Sequence, residues 1–100
     1  MNSSAEIREI LLEILTTGLL RIRALAWAGD AKRCAIEADH IHNLPHLVAS
    51  CDAGALAYYL EVERAAFVEQ TVAEHLSAWE PLWRRLETHI EESRKMSTYA

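Results

Sequence analysis

Residues 3–30 read SSAEIREILLEILTTGLLRIRALAWAGD, and the spacing inside this stretch decides the fold. Ile7, Ile10, Leu11, Ile14, Leu15, Ile22 and Leu25 recur at steps of three and four residues, with Gly18 on the same line. That repeat marks one face of an α-helix buried against neighbours. Ser3 and Glu6 stand at the spacing of a capping box, in which each side chain satisfies a backbone N–H at the helix start, so the helix is expected to begin near Ser4. Gly18 interrupts the stripe at a cost of about 1 kcal/mol relative to alanine. Close approach of another helix is the expected compensation.

Gly29 suits the left-handed residue that ends a helix, and Asp30 suits the cap of the next one, so a tight antiparallel hairpin is expected. The second helix is placed at about residues 31–43, with Cys34, Ala38 and Ile41 turned toward the first. Pro45 cannot supply an interior helical N–H but fits a first helical turn, which predicts a short separate helix over residues 46–50. Asp52 can cap a long helix running from about residue 53 toward Trp79. That segment reads as apolar nearly all round, with Leu56, Leu60 and Phe67 on one side and Tyr58, Val62 and Val72 on the other, and is expected to be central. Pro81, with Ser77 and Glu80 as a second capping box, predicts a restart and a final helix over about residues 80–95, beyond which the last five residues fray. No strand or hairpin signal competes. The chain therefore reads as a single all-α domain over residues 1–100, an antiparallel bundle of four main helices plus one short helix.

The composition narrows the function classes. With 51% apolar and 25% charged residues, the chain is an ordinary globular sequence rather than a disordered one. A formal charge of −5 argues against nucleic acid, because affinity for phosphate backbones comes from lysine and arginine displacing counterions. Glu6, Glu9 and Glu13 break up the first apolar stretch, so neither a signal peptide nor a membrane span is expected, and the cytoplasm is the expected compartment. Cys34 and Cys51 are expected as free buried thiols there. No nucleophile elbow or phosphate-cradling glycine loop occurs, and no catalytic residue is assigned.

The densest polar segment, Glu37 to His46, holds three of the five histidines. Glu37 and His40 stand at the Glu-x-x-His offset that carboxylate-bridged metal sites use in helical bundles, but no second copy of that motif follows. An ordinary reading leaves them as a local pair and needs no cofactor. The alternative gathers Glu37, His40, His46 and Glu63 around a divalent transition metal. Glu63 shares a wheel position with Leu56, Leu60 and Phe67; the ordinary reading makes it a boundary residue bending to solvent or a structural salt bridge, and if buried its carboxylate needs Arg21, Arg64 or a histidine as partner.

Leu20 and Trp27 fall opposite the core stripe of the first helix, beside Glu9, Glu13 and Thr16. Aromatic residues anchor protein interfaces, and Leu20, Trp27, Tyr58, Trp79 and Trp83 form the expected interaction set. The sequence thus points to a helical protein–protein interaction module, an adaptor or an inhibitor resembling an immunity protein, with a second copy of itself or another protein as partner. A small metal-binding bundle or metalloenzyme is the alternative.

Overall fold

The computed structural model describes the backbone of residues 3–99 and the side chains of residues 4–95. The side chain of Ser3, and with it the first capping box, lies outside the described residues. The fold is all-α. α1 spans Ser3–Trp27, α2 Ala31–Ile41 and α3 Leu44–Ser50. α4 (Ala53–Tyr58), a π turn (Tyr59–Glu63) and α5 (Arg64–Gln70) run on as one rod, followed by the single turn α6 (Ala73–Leu76) and by α7 (Glu80–Tyr99). Four long helical stretches and the short α3 match the expected plan, with α6 as an addition. The molecule measures 51 × 22 × 19 Å, elongated along its long helices.

The turn signals act as read. Gly29 adopts φ +75°, its N–H donates to Ala26 O at 3.1 Å, and the Asp30 N–H donates to Leu25 O at 3.0 Å. This is the Schellman arrangement, which satisfies carbonyls the helix end would otherwise orphan. The Asp30 carboxylate accepts from Arg33 N at 3.1 Å and opens α2. The Asp52 carboxylate likewise accepts from Ala55 N at 2.9 Å and opens α4. At Pro81 the chain restarts, and the Trp79 carbonyl takes the N–H groups of Leu82 and Trp83, both at 3.0 Å. The Ser77 hydroxyl does not form the expected box with Glu80; it donates back to Glu74 O at 2.8 Å. α7 continues through Tyr99, past the expected end at Lys95.

Gly18 shows why its stripe lacks a side chain. A Cβ there would lie 2.5 Å from Ile41 Cγ2 and 2.9 Å from Trp79 Cη2, so α2 and the Trp79 ring seat directly on the α1 backbone. The core is then Ile7, Ile10, Leu11 and Ile14 of α1 against Ile41, Leu44 and Leu47, closed by Leu56, Tyr59, Phe67, Trp79, Trp83 and Leu86.

Two expectations fail. The third long helix does not reach Trp79: Thr71 is extended at φ −126°, ψ 139°, and Val72 stays extended at φ −73°, ψ 152°. A straight continuation would carry Leu76 and Trp79 away from the core; the break at this β-branched pair turns both back into it. Nor is that helix central, because Tyr58, Val62, Val68 and Val72 are exposed. α1 is the hub instead, packing against α2, α3 and α7. Both cysteines are free, and each thiol meets a carbonyl of α1, Cys34 that of Ile22 and Cys51 that of Ser4. No helix among the described residues is long and apolar enough to cross a membrane.

Candidate functional site

The Glu37–His46 segment divides among separate environments. Glu37 is 1% exposed, and its carboxylate is clamped by Arg21 of α1, with Nε donating to Oε1 and Nη2 to Oε2 at 2.9 Å. The same Nη2 donates to His75 Nδ1 on α6, which lies 3.6 Å from Glu37 Oε2. A bidentate guanidinium–carboxylate pair is the geometry in which burial of a charge is best compensated. Arg21, considered at the sequence level as a partner for Glu63, thus serves Glu37, and three elements meet at one ion pair.

His40, one helical turn on, faces another way. Its ring stacks on Phe67 at 4.1 Å with 8° between planes, and meets Trp79 and Trp83 edge-on at 5.0 and 5.6 Å. A hydrogen-bond chain fixes its tautomer. Trp83 Nε1–H donates to the Tyr59 oxygen at 3.1 Å, so the Tyr59 hydroxyl proton is free to donate to His40 Nε2, also at 3.1 Å. Nε2 is therefore an acceptor and the ring proton sits on Nδ1, which is buried and has no hydrogen-bond partner among the described residues. Burial pushes the Tyr59 phenol up and keeps it protonated, as this role requires. Burial also lowers His40 from 6.5 to about 4, so the folded protein holds a neutral ring.

This lowering makes a pH dependence calculable. Below pH 6.5 the unfolded chain binds a proton at His40 that the folded chain refuses until about pH 4, so stability present above 6.5 drains away as pH falls across that window. By pH 4 the loss from this residue reaches about 3 kcal/mol. Chemical unfolding between pH 7 and pH 4 should show this slope in the parent and about one proton less of it in His40→Phe; equal slopes would remove His40 as the cause.

Glu63 ends a π turn. Its closing bond runs from Arg64 N–H to Tyr59 O, and a π turn advances each residue by less than the α-helical angle of about 100°. Glu63 is the last residue of this turn and lies on the flank of the Leu56, Leu60, Phe67 seam. It is half-buried, as the boundary reading expects, and accepts from Asn43 Nδ2 at 2.7 Å rather than from an arginine or histidine.

The four residues of the metal alternative are therefore not brought together. Glu37 belongs to Arg21, His40 to Tyr59, Glu63 to Asn43, and His46 is exposed on α3. His40 and Glu63 line one small pocket with Asp39 and Gln70, and Glu63 and His46 line another. Among the described residues no group of three or more His, Cys, Asp or Glu side chains is arranged to hold a metal ion.

The interaction set divides as well. Trp79 and Trp83 are buried in the core, 0% and 4% exposed, so neither is available to a partner. Their heptad-like spacing with Leu86 serves the chain's own packing. Leu20, Trp27 and Tyr58 are exposed, Trp27 by 83%. Leu12 and Leu19 join Leu20 and Trp27 on the outer face of α1, a row of large apolar side chains along one helix. The helical wheel that puts Leu20 and Trp27 there carries Leu12 and Leu19 with them, two residues beyond the expected set. Compared with protein-family models, curated proteins and solved structures, the chain matches none of them.

Proposed function

We propose that this chain is a helical protein–protein interaction module, an adaptor-type protein of the cytoplasm that associates with itself as a homodimer through the outer face of α1. One observation carries the reading. Leu12, Leu19, Leu20 and Trp27 stand exposed on the side of α1 opposite the buried Ile7, Ile10, Leu11 and Ile14, so the helix that organises the core is apolar on a second face. Large apolar side chains gathered on one exposed helix face are a mark of contact surfaces, and tryptophan is among the residue types that most often anchor them. The buried polar groups are consistent with the same reading, since Arg21 pairs with Glu37 and Tyr59 with His40 inside the fold.

The doubly substituted Leu20→Asp/Trp27→Asp chain tests it. Both side chains are exposed, so the variant should keep the helical circular dichroism and the unfolding midpoint of the isolated fold while losing association. A variant as associated as the parent would contradict the proposal.

A further inference from the structure

The exposed face of α1 has an internal symmetry. Ala5, Glu9, Leu12, Thr16, Leu20, Arg23 and Trp27 follow one another at steps of four, three, four, four, three and four residues, a series that reads the same in both directions about Thr16. At about 100° per residue these seven positions fall within about 80° of one another, a single straight seam along the helix. Along the seam Glu9, Leu12, Thr16, Leu20, Arg23 and Trp27 are all exposed.

The two halves of the seam differ in a complementary way. Positions equidistant from Thr16 are Leu12 and Leu20, both large and apolar; Glu9 and Arg23, opposite in charge; and Ala5 and Trp27, the smallest and the largest side chains of the series. Among the described residues neither Glu9 nor Arg23 forms an ion pair within the chain, whereas Glu13, just off the seam, is already engaged by Arg85. A second α1 laid antiparallel across the first, with the two Thr16 residues on the twofold axis, sets Leu12 on Leu20, Glu9 beside Arg23 and Trp27 over Ala5, each contact made twice. That is the self-complementarity an isologous twofold interface demands. A parallel pairing would instead place Glu9 against Glu9 and Arg23 against Arg23, a like-charge arrangement at both ends.

Resting on the homodimer reading above, we infer that the occupant of this face is a second copy of the chain, bound with α1 antiparallel to α1 and in register about Thr16. Register is then set by the paired Glu9 and Arg23 charges, and the surface is closed at each end by Trp27 over the small Ala5 position.

Charge reversal tests the register separately from the association. Dimer dissociation constants are measured by sedimentation at low salt, where exposed charges are least screened, for the parent, Glu9→Arg, Arg23→Glu and the double reversal, with circular dichroism confirming the fold of each. Each single reversal puts two like-charge contacts into the dimer and should raise the constant by about tenfold or more; the double reversal restores opposite charges and should return it to within about threefold of the parent. A dimeric parent whose affinity ignores the single reversals, or is not recovered by the double one, overturns this register while leaving self-association standing. A parent that is monomeric at every concentration, its α1 face left to a different protein, overturns both.

Discussion

In Arg21→Met the free energy of unfolding is expected to fall by about 3–5 kcal/mol, because the change leaves the Glu37 carboxylate buried with its main counter-charge gone. Glu37 is 1% exposed and receives two hydrogen bonds from the Arg21 guanidinium, while His75 accepts a third from the same group, so one side chain ties α1 to α2 and α6. Removing both charges together has a different consequence. Arg21→Met/Glu37→Met exchanges a buried ion pair for apolar volume, which is often neutral or better, so the double variant should recover to within about 1 kcal/mol of the parent. Denaturant unfolding of the two single variants and the double variant gives the coupling energy. A single variant that loses less than about 1 kcal/mol would show that the pair is solvated in solution.

Trp79→Ala is expected to cost about 3–5 kcal/mol, against a total of about 5–15 kcal/mol for a domain of ordinary stability. The indole is 0% exposed, lies edge-on to His40 and Phe67, stacks with Trp83 at 6.4 Å, and reaches the backbone of α1 at Gly18. Its removal empties the point where α1, α2, α5 and the start of α7 meet, and the Gly18 contact leaves no side chain on α1 able to move in. Unfolding at one fixed protein concentration measures the loss, since association would make the midpoint concentration-dependent. A loss near that of a surface substitution would mean that Trp79 does not sit in this core.

What was legible in the sequence was local. The apolar stripe of α1, the left-handed Gly29, the caps at Asp30 and Asp52, the close approach at Gly18 and the restart at Pro81 each depend on residues within a turn or two of one another, and each is found. The break at Thr71 and the π turn at Tyr59–Glu63 were not legible, because tertiary packing selects them over an unbroken α-helix. The Arg21–Glu37–His75 cluster joins residues 16 and 54 positions apart in the chain, beyond the reach of any periodicity, although Arg21 on the edge of the core stripe was a signal that it needed a buried partner. Trp79 and Trp83 were misassigned because tryptophan serves cores and interfaces alike, and composition does not separate the two. Trp27 was separable, since its helix position opposite the stripe, and not its residue type, placed it on the outside.

The outward face of α1 carries the functional account, and the molecular mass in solution tests it most directly. Sedimentation equilibrium of the unmodified chain at micromolar concentration and low salt should return twice the 11.3 kDa chain mass, falling toward the single-chain value on dilution. A mass that stays at 11.3 kDa across the whole concentration range would contradict self-association through that face.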